Sequence, residues 1–300
     1  LVLFFKKELL ALLKHQKMRQ GGATMRFSVI QMSPGSDKAA NIVQARGLIE
    51  AVVAAEKPDL VALPEIWTCL GGSRAGKFAA AEILPAPGDT GGEAYEFLRQ
   101  MAVEKKIFVH GGSIGELEGE KLYNTTLVFS PAGEELARYR KIHLFDITTP
   151  DGQGYRESAT YGAGDKVVTV EAAGLNIGLA ICYDLRFPEL FLALRRENVD
   201  LIMLPAAFTL QTGKDHWEVL IRARAIETQS WIAAPACTGA YQEANGETRF
   251  TYGHAMIVDP WGHVVARASD GPGAATASID TNFTARVRAN MPVLAHRRLA

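Results

Sequence analysis

Glu65, Lys141 and Cys182 are the side chains of this 300-residue sequence whose chemistry, if brought together, opens a carbonyl–nitrogen bond. Each closes a strand-like run: Ala62-Leu63-Pro64-Glu65-Ile66-Trp67, Tyr139-Arg140-Lys141-Ile142-His143-Leu144 and Ala180-Ile181-Cys182-Tyr183-Asp184. A thiol near neutral pH is mostly protonated, so a nucleophilic cysteine needs a base or a cation to hold its thiolate. Glu65 can be that base. Lys141 can favour the thiolate and then neutralise the oxyanion formed on a carbonyl. A carboxylate base is suited to the rest of the cycle, because the amine must leave protonated and a water must then be activated. Spacing alone does not select this trio. Cys182 beside Ile181 also reads as a small buried hydrophobe, Lys141 as a solvated charge, and Glu65 as a cap or ion-pair partner.

Two rival constellations use other residues. Gly111-Gly112-Ser113-Ile114-Gly115 matches the G-x-S-x-G nucleophile elbow, with His254 and Asp259 as partners. That elbow requires a helix next, whereas Glu116-Leu117-Glu118-Gly119-Glu120 leads into another strand. A Cys–His pair could enlist His143, His216 or His254.

The elements that must position these groups alternate between strand and helix from Met25 onward. Strand 26–31, helix 38–56, strand 59–65, helix 92–105 and strands 106–110 and 122–129 make a first half. A glycine-rich loop follows over 145–165. Strand 175–181 then turns abruptly at Cys182 into helix 188–197, leaving the thiol at a strand end beside a helix start. Asp200-Leu201-Ile202-Met203-Leu204-Pro205-Ala206 echoes Asp59-Leu60-Val61-Ala62-Leu63-Pro64-Glu65, and helix 215–229 with strands 231–236 and 256–262 completes a second half. Two similar β/α halves without a linker predict one α/β domain of two sheets packed together under outer helices, with the site between the halves at strand ends. Glu65 stands where its twin has Ala206, so the turn itself does not require a carboxylate.

Composition narrows the partner. Lys plus Arg number 32 against 33 Asp plus Glu, a formal charge of -1 that draws the chain to neither nucleic acid nor an acidic membrane surface. A small molecule is the partner this predicts. Cys69, Cys182 and Cys237 are odd in number and lack metal-ligand spacing, which predicts free thiols, a reducing cytoplasmic setting and no metal. No apolar run approaches the roughly 20 residues that span a bilayer. Residues 1–24 read as a weakly amphipathic basic extension ending at Gly21-Gly22, outside the fold, with Met25 or Met18 as the native start.

The three runs resemble those of the nitrilase superfamily of carbon–nitrogen hydrolases, whose Glu–Lys–Cys triad sits in LPE, KIHL and ICYDLRFPE segments in this order. The resemblance spans residues 25–300 and implies a four-layer α-β-β-α sandwich and no cofactor. It implies Glu65 as general base, Lys141 as oxyanion cation and Cys182 as nucleophile, with the Tyr183 backbone N–H as second oxyanion donor. Glu157, in Tyr155-Arg156-Glu157-Ser158, fits the second acid of the family, which orients the lysine or the substrate amide. The segments 216–228, 252–254, 258–262 and 292–298 look like those of amidases that hydrolyse deaminated glutathione. Those are close to the ω-amidases of 2-oxoglutaramate and 2-oxosuccinamate. The implied activity is therefore hydrolysis of a small carboxylate-bearing amide through a Cys thioester, with deaminated glutathione first and the ω-amidase substrates second. A serine hydrolase using Ser113 is a distant third. Such substrates call for a guanidinium partner. Arg186 is the candidate, with Phe208 and Thr209 as walls, although a salt bridge of Arg186 with Asp184 or Glu189 is the simpler alternative. Residues 66–82 depart from both branches. The family also implies a homodimer through 188–197 and 215–229, with Met291-Pro292-Val293 packed across it.

Overall fold

The computed structural model describes residues 24–150 and 152–298. The expected extension therefore lies outside the described residues except for Thr24, which opens the first strand. The first half runs β1 (Thr24–Met32), α1 (Lys38–Glu56), β2 (Leu60–Ala62), α2 (Arg74–Ala80), α3 (Glu93–Lys105), β3 (Phe108–His110), β4 (Ile114–Glu118), β5 (Lys121–Phe129) and β6 (Glu135–Arg140). A connecting stretch holds the hairpin β7 (Asp146–Thr148) and β8 (Gly154–Arg156), then β9 (Tyr161–Gly162). The second half runs β10 (Thr169–Ala172), β11 (Leu175–Leu179), α4 (Pro188–Arg196), β12 (Leu201–Met203), α5 (Leu210–Thr228) and β13 (Trp231–Ala234). It continues through β14 (Ala236–Gln242), β15 (Thr248–Tyr252), β16 (Met256–Val258), β17 (Val264–Arg267), β18 (Gly273–Asp280), α6 (Thr281–Asn290) and α7 (Val293–His296).

The halves match in pairing as well as order. Strands β1, β2 and β3 run parallel with β5 returning antiparallel, and β11, β12 and β13 run parallel with β16 returning antiparallel. Asp59 accepts the Arg26 N–H through Oδ2 at 2.7 Å, and its twin Asp200 accepts the Asn176 N–H at 3.0 Å. Strand periodicity then decides the layers, because successive side chains face opposite ways. Phe27, Val29, Leu60 and Ala62 pack into one cluster with Ile177, Leu179, Leu201 and Met203 of the second sheet. Ile30, Met32, Val61 and Leu63 pack instead with Ile49 of α1 and Leu98 of α3. Sheet against sheet within, helices without, is the expected four-layer sandwich.

Several boundaries differ from expectation for local reasons. The strand expected at 231–236 splits at Pro235, which has no N–H for a ladder. Strand β13 stays in the second sheet while β14 crosses to pair with β1 at Gln31 and Met32. Helix α5 starts at Leu210 rather than 215 because the Thr209 side chain caps it, accepting the Thr212 N–H at 3.2 Å. Among the described residues no helix is long and apolar enough to cross a membrane.

His110, at the end of β3, is 1% exposed, and burial pushes its imidazole down from 6.5 to about 3. A base whose folded pKa is depressed contributes stability present above pH 6.5 and lost as pH falls toward 3. Wild-type protein is expected to lose about 2 kcal/mol between pH 7 and pH 5 through this group. Urea unfolding at both pH values checks it: His110→Gln should lose that much less, and an unchanged pH slope would show that the imidazole is not the cause.

Candidate active site

Pro64 ends the β2 ladder, and the turn that follows carries Glu65. Ile66 sits at a φ of 44° and donates its N–H to Ser113 Oγ at 2.9 Å, while the Ser113 N–H reaches the Pro64 carbonyl at 3.0 Å. Ser113 is fully buried and is followed by β4, not a helix. It clamps the Glu65 turn and lacks the setting of a nucleophile elbow. Its supposed partners are engaged elsewhere, His254 with the Tyr252 carbonyl and Asp270, Asp259 with His263.

Cys182 opens a 3-10 turn over Cys182–Arg186, at a φ of 48° that costs a non-glycine residue about 1–3 kcal/mol. Asp184 holds that turn. Fully buried, it accepts the Ile181 N–H at 2.9 Å and the Tyr139 hydroxyl at 2.6 Å through Oδ2. Through Oδ1 it accepts the His143 N–H at 3.0 Å and meets His143 Nδ1 at 2.7 Å. His143 is thus part of this clamp, stacked on Phe187 at 3.7 Å between ring centroids. His216 meets Arg186. Asp184, read from sequence only as a partner for Arg186, is signalled by an acid two residues past a cysteine in an otherwise apolar run.

Lys141 follows β6, and its N–H donates to the Asn124 carbonyl of β5 at 2.9 Å. Its Nζ lies 2.8 Å from Glu65 Oε1 and 3.0 and 2.8 Å from Glu157 Oε1 and Oε2. Asn124 Nδ2 donates to Glu65 Oε1 at 2.9 Å and to Glu157 Oε1 at 3.3 Å. The Ala207 N–H reaches Glu65 Oε2 at 2.8 Å, and the Phe145 N–H reaches Glu157 Oε2 at 2.7 Å. A carboxylate offers about four lone-pair sites. Those of Glu157 are all taken. Glu65 keeps one open on Oε2, and its charge acts on the Cys182 thiol.

Glu65, Lys141 and Cys182 are 4%, 2% and 7% exposed, so their charges act with little water between them. Burial works against a charged Lys141, yet Glu157 and then Glu65 outweigh it and hold the ammonium well above its usual range. Burial, then the Glu65 charge, push the Cys182 thiol well above its usual range, with Lys141 pulling the other way. Cys182 therefore rests as a thiol. Asn124 was legible only as a polar residue inside the strand Leu122-Tyr123-Asn124-Thr125-Thr126-Leu127. Replacing it with Ala is expected to lower kcat/KM about tenfold or more and stability by about 1–3 kcal/mol. Steady-state kinetics and urea unfolding check this, and wild-type kcat/KM would reduce the amide to a spacer.

A cavity of about 520 Å³ opens over Glu65, Lys141, Glu157 and Cys182, with Phe208 and Thr209 in its wall. Arg186 is not among the lining residues: its guanidinium lies 5.4 Å from the Phe208 ring and 5.9 Å from the Tyr183 ring, and 3.3 Å from His216 Nδ1. It backs the wall. The side chain runs behind Phe208, an orientation that sequence position does not report. The cations in the lining are Arg74, Lys77, Lys141, Arg156 and Arg249. The 66–82 segment supplies one whole side, from Ile66 to Lys77.

A four-layer sandwich holding a carboxylate, an ammonium and a thiol in one buried cluster defines a class, and the chain belongs to it: residues 26–289 match the Carbon-nitrogen hydrolase family. The family expectation and the fold read from the sequence are both borne out. Its relatives include the "Deaminated glutathione amidase" of Synechocystis sp., 43% identical over 276 residues that cover 90% of this chain and 97% of that protein. "Omega-amidase NIT2" of Homo sapiens is 36% identical over 277 residues, covering 92% of this chain and 95% of that one. The solved structure of Saccharomyces cerevisiae Nit3, a member of branch 10 of the nitrilase superfamily, matches with a TM-score of 0.81 at 30% identity, covering 92% of this chain and 97% of its own.

Proposed function

We propose that this amidase hydrolyses deaminated glutathione through a thioester on Cys182. The open lone pair of Glu65 Oε2, in a carboxylate otherwise saturated by Lys141, Asn124 and Ala207, carries this reading. Glu65 takes the thiol proton as sulfur attacks the amide carbon; the carbonyl π electrons move onto oxygen. Lys141 and the Tyr183 N–H stabilise that oxyanion. Its collapse breaks the C–N bond while Glu65 returns the proton to the departing nitrogen. Glu65 then deprotonates water, whose attack on the thioester releases the acid and restores the thiol. Glu157, with every lone pair engaged, positions the Lys141 ammonium and is no proton acceptor.

The substrate choice rests on size and on kinship. A volume of about 520 Å³ lies within the about 300–1,000 Å³ typical of ligand sites. Deaminated glutathione has roughly twice the heavy atoms of 2-oxoglutaramate and uses such a space better. The 43% identical relative bears that substrate in its name. The ω-amidase reading, on 2-oxoglutaramate or 2-oxosuccinamate, is favoured by the NIT2 relative. Phe208 and Thr209 form part of the acyl wall. The protein acts in the cytoplasm as a homodimer, without nucleic-acid or membrane partners. The exposed apolar Val219 and Ile226 of α5 support that dimer face, and Gln229 Nε2 ties the Met291 carbonyl to the end of the same helix at 2.7 Å. Cysteinylglycine release from deaminated glutathione and ammonia release from 2-oxoglutaramate, measured under one set of conditions, test the choice. The expected kcat/KM is about tenfold or more higher for the first; the reverse order would establish the ω-amidase reading instead.

A further inference from the structure

We infer that Lys77, with Arg74 beside it on α2, binds the carboxylate of an anionic leaving amine, an assignment that rests on the amidase reading above. Both residues line the cavity. Lys77 is half-buried and, among the described residues, makes no ion pair. Arg74 donates its Nε to the Ala159 carbonyl at 3.3 Å and lies over the Phe78 ring at 4.5 Å, also without a carboxylate partner among the described residues. Arg249, another lining cation, is already matched by Glu247 at 3.3 Å and Glu243 at 3.8 Å. A partly desolvated cation without a counter-charge is a site for an anion to fill.

The chemistry of the cycle says which anion. Glu65 returns its proton to the departing nitrogen, so the amine leaves across Glu65. The wall continuous with Glu65 is Ile66, Cys69 and Leu70, ending at Arg74 and Lys77. Tyr183, next to Cys182 in the chain, and the Ala207–Thr209 segment also line the cavity and are left for the acyl group. The α2 wall is also held firmly. The Leu70 N–H reaches the Gly35 carbonyl at 2.9 Å, the Gly72 N–H reaches the Gln242 carbonyl at 2.8 Å, and Ser73 Oγ caps the helix by accepting the Gly76 N–H at 3.0 Å. Gly71 permits this close approach, since it has a φ of 79° and a Cβ there would come within 2.4 Å of the Gln242 carbonyl oxygen. Residues 66–82 thereby become the part that reads the leaving group.

Two amides with the same acyl half separate this role from any other. One releases an anionic dipeptide, as deaminated glutathione does; the other, 2-oxoglutaramate, releases ammonia. Both pass through the same acyl-enzyme, so their kcat/KM ratio isolates what the enzyme does with the leaving side. Lys77→Met is expected to lower that ratio, dipeptide amide over primary amide, about ten- to thirtyfold, and Lys77→Glu further. The ratio is insensitive to the fraction of folded enzyme, and adding Arg74→Met should deepen the effect. A ratio unmoved by Lys77→Glu, whether both activities fall together or neither does, overturns the assignment. Wild-type enzyme that hydrolyses neither amide overturns the amidase substrate reading and this assignment with it.

Discussion

Cys182→Ala is expected to lower kcat for amide hydrolysis by about 10⁴-fold or more, because the proposed acyl intermediate forms on its sulfur and what remains is binding and oxyanion stabilisation. Stability should move by no more than about 1 kcal/mol, since the substitution removes one sulfur atom from a turn held by Asp184 and the Pro205 carbonyl. Ser113→Ala should retain turnover within about tenfold, as Ser113 Oγ only accepts the Ile66 N–H. Steady-state rates for the two variants, with circular dichroism to show that both fold, make the comparison. Loss of activity in Ser113→Ala alone would move the nucleophile to the other strand end. The raised thiol gives a pH signature as well. Iodoacetamide alkylation of Cys182 should keep accelerating as pH rises through the usual cysteine range, without an early plateau, because little thiolate exists at neutral pH.

Lys141→Met is expected to inactivate the enzyme and to destabilise it by about 3–5 kcal/mol, the cost of breaking a buried pair from one side. Methionine keeps the length and packing of the stem but leaves the Glu65 and Glu157 carboxylates facing each other with only Asn124 between them. Calorimetry should show a lower Tm that recovers as pH falls, because protonating one carboxylate relieves the repulsion. The native site behaves in the opposite sense. The folded-state pKa of Lys141 lies above its unfolded value, so its contribution is fully present below about pH 10.5 and is lost only as pH rises through the folded value. Adding Glu157→Gln to Lys141→Met should restore part of the stability and none of the activity. A double variant as unstable as the single one would mean that charge is not what the ammonium contributes.

Much of this is legible in the sequence. Strand-end position and residue type make Glu65, Lys141 and Cys182 candidates, and the resemblance of their three segments to the nitrilase superfamily is what selects them together. The Asp59 and Asp200 segments revealed the two halves because the same backbone contact, an aspartate accepting a neighbouring strand's N–H, is made twice. What stayed hidden was mostly direction. Arg186 is one turn from Cys182, but its side chain runs behind Phe208 to His216, and only packing decides that. Asn124 and Asp184 look like incidental polar residues until their partners, 59 and 45 positions away, are brought beside them. The 145–165 stretch, glycine-rich and loop-like, folds into a β7–β8 hairpin and a 3-10 turn that carries Glu157, its order coming from contacts such as the Phe145 N–H and not from local propensity.

The sulfur–carbonyl bond can be weighed directly. Enzyme quenched in acid within milliseconds of mixing with excess deaminated glutathione, then examined by intact-mass and peptide-mass spectrometry, should carry the mass of the oxo-acyl group on the peptide containing Cys182. Peptides with Cys69, Cys237 and Ser113 should be unmodified. Turnover with no adduct at Cys182, or with the acyl mass on another residue, would contradict the account.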